Sequence, residues 1–253
     1  MPKPDMPMLL VIAALIGIAP AQAQLAKVLK DPDTQAKASQ GSALRDLFKP
    51  PQAVLFGSAA NGGVLFSADC SGFVPGVYAS CVTPVAGSTV NFDRRDLGNL
   101  SLPARRSRTL LCPMLSNRYV YNLMNSTTAT ANGGSVSFDP YFTIESAALS
   151  DPAAIDPDTG LPFNGSLDVS AAAGLERGTN NLRPGLPESE SGYISRSCIG
   201  GFTPDFFVAA YGLSQALAEK LVSGALTIRL NLRGNVTNLR DGSYLIGVRV
   251  FTD

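Results

Sequence analysis

Asp156-Pro157-Asp158-Thr159-Gly160, with Asn164 and Asp168 following, sets oxygen-bearing side chains at short intervals around a tight turn. Hard cations want several oxygen ligands in such a turn, so Asp156, Asp158, Asn164 and Asp168 form a candidate calcium loop or acidic partner surface. The match departs from a calcium loop at Gly160, which brings only backbone, and at the twelfth position, which holds no Glu. A plain Asp/Pro/Gly turn accounts for the same residues. A second group is basic. Arg94, Arg95, Arg105, Arg106 and Arg108 lie between Cys81 and Cys112, and Asp93 and Asp96 flank the first pair. Such a cluster can meet an anionic glycan, a lipid head group, or the acidic stretch Asp151 to Glu190 of the same or a neighbouring molecule. Arginines solvated on a loop are the plainer explanation. Paired carboxylates for glycoside hydrolysis are the third chemistry, with Asp139, Glu145 and Asp168 as candidates, because such pairs are set by space and not by sequence.

Other chemistries are excluded. The chain has no histidine, which removes the ordinary Ser-His-Asp and Cys-His arrangements. Neither a Gly-x-Ser-x-Gly elbow, a Gly-x-Gly-x-x-Gly fingerprint nor a phosphate loop occurs. No catalytic residue is assigned, and no cofactor beyond the calcium candidate. The 20 basic and 20 acidic residues cancel, which argues against nucleic acid as a partner.

Cys70, Cys81, Cys112 and Cys198 are the 4 cysteines. An even number in an oxidising compartment predicts two disulfides, with three connectivities open. Nearness in sequence favours Cys70 with Cys81. Zinc is disfavoured, since histidine is absent and no close Cys-x-x-Cys pair exists. Asn99, Asn125, Asn164 and Asn235 each open a glycan acceptor pattern, which arises readily by chance in a chain of this composition.

The elements that must position these residues follow from pattern. Met8 to Ala19 is an apolar run closed by Ala21-Gln22-Ala23, the small residues a signal peptidase accepts, so 1–23 is expected to be a signal peptide and Gln24 the mature start. The run is too short for a hydrocarbon core of about 30 Å, and no later run is long and apolar enough to span one. Residues 24–50 are expected as an arm or linker, and 51–253 as one β domain. The 24 glycines and 18 prolines favour short strands joined by turns. Candidates are Ala53–Phe56, Val64–Phe66, Ser88–Phe92, Thr109–Cys112, Arg118–Met124, Ser135–Phe138, Tyr141–Glu145 and Phe206–Tyr211. Their spacing suits a sandwich or barrel. Residues 148–197 form a long polar, acidic insertion with weak periodicity, though Leu167–Leu175 can hide a strand or helix. Leu213, Leu217 and Leu221 recur every four residues, so Leu213–Val222 is the one expected helix, capped by Ser214 and ended by Gly224.

The clearest pattern is C-terminal. Leu226, Ile228, Leu230 and Leu232 alternate with Thr227, Arg229, Asn231 and Arg233, and Tyr244, Ile246, Val248 and Val250 share a second dry face. Asn238, Asp241 and Gly242 lie between, so an antiparallel hairpin is the expected reading. Its dry face needs a core from the rest of the chain.

Cys81, Val90-Asn91-Phe92-Asp93, Cys112 and the strand opened by Gly242-Ser243-Tyr244 together resemble chaperone–usher pilins and spore-coat-protein-U domains, which are immunoglobulin-like. Asp93 stands where that family has glycine, and Cys70, Cys198 and the acidic insertion are additional. The resemblance implies a bridge from Cys81 to Cys112 and, with it, Cys70 to Cys198. It also implies a surface structural subunit or adhesin that lends or borrows an edge strand. The reading is therefore an exported, mainly β protein: an immunoglobulin-like or related sandwich with one short peripheral helix. It is expected in the periplasm, outside the cell or on its surface, with other surface subunits, an export chaperone or a glycan as partner. The alternative is a carbohydrate-binding protein or glycoside hydrolase.

Overall fold

The computed structural model describes residues 54–126, 132–196, 198 and 201–253, with 54–61 described through backbone pairing only. The expected signal peptide and arm lie outside the described residues. Residues 53–253 form one compact unit, and it is a β-sandwich.

The first sheet runs in the order β2 (Ser80–Val82), β1 (Val54–Phe66), β10 (Leu239–Thr252), β4 (Leu111–Met124), β8 (Pro187–Arg196). The second runs β3 (Thr89–Leu102), β9 (Leu226–Thr237), β5 (Asn132–Ser146), β6 (Ser166–Ser170), and β7 (Leu175–Leu182) also pairs with β5. Several expected short strands are halves of longer ones: β1, β4 and β5 each join two of them across a polar or Gly/Pro-bearing centre. The supposed insertion is the largest revision. It supplies β6 and β7 to one sheet and β8 to the other. Its strands are polar because they lie at the margins of the sheets, where one or both faces meet water.

The alternating C-terminal runs are strands, as expected, but they are not a hairpin. β9 pairs with β3 and β5, whereas β10 pairs with β1 and β4 in the opposite sheet. Asn238 alone separates them, at φ 53° and 2% exposed. Its Nδ2 donates to Gly133 O at 2.6 Å and its Oδ1 accepts from Gly87 N–H at 3.0 Å. Its carbonyl accepts from Met124 N–H at 2.8 Å. Asparagine tolerates the left-handed region better than most residues, and here its amide also satisfies the backbone groups gathered at the corner. The turn rolls the chain over, so the two dry faces look at each other across the core instead of lying side by side.

That core joins both sheets through aromatic rings. Phe66 and Tyr244 from the first meet Phe92 and Phe138 from the second, with centroids 4.9–5.5 Å apart for Phe138–Tyr244, Phe66–Phe92 and Phe66–Phe138. On one side of the sandwich β1 backs onto β3. A Cβ at Gly62 would stand 1.7 Å from Leu97 O, so only glycine permits this approach.

Two short helices close one end. α2 (Gln215–Ser223) matches the expected helix, with Ser214 accepting from Leu217 N–H and Gly224 N–H donating to Lys220 O. The expected strand Phe206–Tyr211 is instead helix α1 (Pro204–Tyr211). Thr203 accepts from Phe206 N–H, Pro204 opens the first turn, and Gly212 ends it at φ 63°. These start and stop signals outweigh the strand preference of Phe206, Phe207 and Val208. Phe207, Leu217, Leu221 and Val222 are buried beneath.

The disulfides are Cys70–Cys81 and Cys112–Cys198, which corrects the pairing implied by the pilin resemblance. Proximity decides it. β2 lies parallel to β1 directly after the loop that carries Cys70, with Cys81 opposite Leu65. Leu111 and Phe202 exchange backbone hydrogen bonds at 3.0 and 2.7 Å, which brings Cys198 beside Cys112.

Candidate functional site

The outer face of the second sheet gathers five of the seven ion pairs found among the described residues. Alternation directs Asp139, Tyr141, Thr143 and Glu145 of β5 outward, beside Arg229, Asn231 and Arg233 of β9. Arg233 binds Asp139 at 2.9 Å. Arg229 binds Glu145 at 2.7 and 3.0 Å and Asp96 at 2.7 Å, and these bonds raise its pKa further. Tyr141 is only 2% exposed although it lies on an outer face. The guanidiniums of Arg95 and Arg233 cover its ring at 5.3 and 5.0 Å. Burial, then its hydrogen bond to Asp93 at 2.7 Å, pushes its hydroxyl pKa well up.

At the margin of this lattice lies a cleft of about 510 Å³, between the 156–163 loop, β6 and the end of α1. It brings together residues that the sequence showed as separate groups: Arg95 of the basic cluster with Asp156, Asp158 and Asp168. Arg95 Nη2 meets Asp168 Oδ2 at 2.7 Å, and Thr143 Oγ1 donates to Asp168 Oδ1 at 2.6 Å. Tyr211 and Phe163 form its aromatic walls, and the Tyr211 hydroxyl donates to Asp168 O at 3.1 Å. The cleft can hold a small polar ligand between a cation, carboxylates and ring faces. Of the basic cluster, Arg95 thus meets the acidic stretch of the same molecule, through Asp168.

The other expected site residues fall elsewhere. Asp156 spends its carboxylate on its own turn, accepting from Asp158 N–H and Thr159 Oγ1, both at 2.9 Å. Asn164 is exposed at φ 52°. Among the described residues no three of His, Cys, Asp or Glu gather as a metal site, and the 156–160 segment is a turn closed on the Asp156 carboxylate. The basic residues do not form one surface. Arg94 lies one residue out of phase with Arg95, opposite the buried Leu232. Arg105 and Arg106 are exposed. Arg108 is 2% exposed, which removes it from any anion or partner surface. Its Nε donates to Val222 O at 2.5 Å and its Nη1 to Pro103 O at 3.0 Å, and Nη2 donates to Gly224 O. The guanidinium thus caps the C-terminal end of α2, where carbonyls lack partners and a cation is favoured. Burial, with repulsion from Arg105, lowers its pKa.

Of the carboxylate candidates, Asp139 and Glu145 lie six residues apart on one face of β5, or about 20 Å at strand rise, far beyond the roughly 5–9.5 Å that glycosidase pairs span. Asp168, opposite Thr143, is instead a diagonal cross-strand neighbour of Glu145 and is engaged by Arg95 and Thr143. Asn125, one of the possible glycan acceptors, is fully buried and donates to Leu182 O at 3.2 Å.

A further constellation escaped sequence reading. Glu190 of β8 accepts from Tyr119 at 3.3 Å and from Tyr121, and lies 3.5 Å from Arg177 of β7. Burial and the Glu190 contacts push both tyrosine pKa values up. The only available signal was the i, i+2 repeat of Tyr119 and Tyr121.

No family model matches the chain, and neither does any curated protein. Among solved structures it was set beside one of infectious bursal disease virus, Gx strain, at 11% identity, TM-score 0.17, covering 66% of this chain and 30% of that one. The 2.6 Å structure of T=1 particles derived from infectious bursal virus gives 12% identity and TM-score 0.15, covering 77% and 40%. The chain thus spans well under half the length of either, and likeness at this level carries no argument.

Proposed function

We propose that this chain is an exported structural or adhesive subunit of a bacterial surface assembly, working through contacts with other protein chains. The observation that carries the reading is the open margin of the first sheet. β1 pairs with β10 along Val54–Phe66, but on its other side, among the described residues, only Val64–Phe66 pairs with a strand, β2. β8 pairs with β4 on one side, and no strand joins its other side among the described residues. Long unpaired edges are sites of strand addition. Two disulfides suit an oxidising compartment, and among the described residues no helix is long and apolar enough to cross a membrane. Val74 and Val77, 80% and 68% exposed within the loop stapled by Cys70–Cys81, add an apolar tip. The pilin-like and spore-coat-protein-U-like resemblance suits this role, although its Cys81–Cys112 element is not the bridge formed. Immunolabelling of cell-surface material under negative stain tests the proposal: labelled filaments or layers are expected, and label confined to free soluble protein rejects it.

The second reading, a carbohydrate-binding protein, is favoured by the Arg95–Asp168 cleft and its aromatic walls. Glycan-array binding that is lost in Tyr211→Ala supports it, and an array without signal removes it.

A further inference from the structure

β8 is an edge strand with an internal symmetry of charge. Its ten residues are Pro187 to Arg196, and Gly192 lies four residues after Glu188 and four before Arg196. One side is fully used by β4, from Leu115↔Arg196 to Met124↔Pro187. An antiparallel partner engages the backbone of alternate residues, so the remainder point their N–H and C=O groups away from β4. Neither Glu188 nor Arg196 has an ion-pair partner among the described residues.

We propose that β8 pairs antiparallel with β8 of a second copy of this chain, about a two-fold axis at Gly192, joining two five-stranded sheets into one. This rests on the assembly reading above and names the partner and the seam. In that register Glu188 lies directly opposite Arg196 of the second copy, and symmetry repeats the pair. Ser189 meets Ser195, Glu190 meets Ile194, and Ser191 meets Tyr193. Opposite charges facing each other across strands stabilise a pair, and like charges destabilise it.

Tyr193 gives a separate reason. It is 64% exposed on the outer face of β8. In the proposed register the two Tyr193 side chains are diagonal neighbours, about 7–8 Å apart, within reach of each other's rings. A large ring left in water by one copy is then covered by its twin.

Other registers serve less well. A slip of one residue sets the dry side of one sandwich beside the wet side of the other. A slip of two keeps the faces matched but either sets Glu188 opposite Ile194 or carries it past Arg196. The latter would turn Arg196 onto Glu190, already held by Tyr119, Tyr121 and Arg177. Charges on an edge commonly guard it against foreign strands; this arrangement guards it against all but its own copy.

Sedimentation of the full-length, oxidised protein over a concentration series tests the seam. Wild type is expected to dimerise reversibly and more weakly as salt rises. Arg196→Glu and Glu188→Arg should each weaken the dimer by about tenfold or more, since two attractions become two repulsions. The double variant Glu188→Arg/Arg196→Glu should restore it. Thermal melting of each variant separates loss of pairing from loss of fold, and the double variant provides the rescue that misfolding would not. A dimer indifferent to both reversals overturns this seam while leaving assembly through another surface standing. A strict monomer overturns it too, and if cell-surface labelling also fails, the assembly reading falls with it.

Discussion

Removing the two disulfides one at a time should cost unequal amounts. Cys70–Cys81 closes a separation of 11 residues and Cys112–Cys198 one of 86. Loop-closure entropy then gives about 2.8 kcal/mol for the first and about 4.6 kcal/mol for the second. At roughly 2–4 °C per kcal/mol for a domain of this size, the second loss should lower the melting temperature by about 4–7 °C more than the first. The perturbations are Cys70→Ser with Cys81→Ser, against Cys112→Ser with Cys198→Ser, so that neither leaves a free thiol. Scanning calorimetry reads the difference, and hydrogen exchange reads its place. Loss of Cys70–Cys81 should loosen the loop between Phe66 and β2 while β4 keeps its protection, because β4 is held by β10 and β8 on both sides. Loss of Cys112–Cys198 should expose the Leu111–Phe202 bridge and, through Phe202, the packing of α1. Equal melting temperatures, or the reverse order, would refute the reasoning. So would a non-reducing peptide map that joins Cys81 to Cys112.

Replacing Arg108 with Met strips donors from the carbonyls of Pro103, Val222 and Gly224. Buried acceptors left unpaired cost about 1–3 kcal/mol each before relaxation, so a net loss of about 2–4 kcal/mol is expected in urea unfolding; a change under about 0.5 kcal/mol, typical of exposed arginines, would contradict the capping role. At the corner, Asn238→Ala loses the side-chain bonds and also forces alanine into the left-handed region, for about 2–4 kcal/mol in all. Asn238→Gly keeps the backbone free and should be the milder of the two; the opposite order would show that backbone conformation is not what Asn238 supplies. For pH, burial alone would raise the Asp253 pKa. Hydrogen bonds from Thr109 Oγ1 and from the N–H groups of Thr109 and Leu110 (2.9 and 3.0 Å) outweigh this and hold it below the ordinary aspartate value. Its contribution is therefore complete above that value, about 3.9, and is lost as pH falls through the lower folded pKa. The stability gap between wild type and Asp253→Asn should be constant near neutrality and close in acid, and a gap that widens in acid would reverse the sign.

Legibility followed burial. The dry faces Leu226–Leu232 and Tyr244–Val250 could be read because each inward position is apolar, while Thr227, Arg229, Asn231 and Arg249 mark the opposite side. Ser214 and Gly224 marked α2 through local backbone chemistry. Partnership is another matter, since alternation is the same whether two strands pair with each other or face each other across a core. That is why β9 and β10 read as a hairpin. β8 was invisible because a polar edge strand lacks a dry face, with only partial burial at Glu190, Gly192 and Ile194. The basic cluster misled for a related reason. Spacing cannot say that Arg108 will find carbonyls 114 and 116 residues away, or that Arg95 will find Asp168 at a separation of 73.

The single-residue corner at Asn238 has a consequence for how the chain folds. β9 and β10 are each flanked by two neighbours, so neither is an edge that can be added late. With one residue between them, their phases are locked: a slip in one sheet must be answered by a slip in the other, or the connection cannot span. Each sheet therefore proofreads the register of its opposite. The centres of both must form together from segments as distant in sequence as Val64 and Tyr244. Such long-range pairing is slow to nucleate. Until β9 and β10 have crossed over Asn238, neither half of the sandwich has its middle strand.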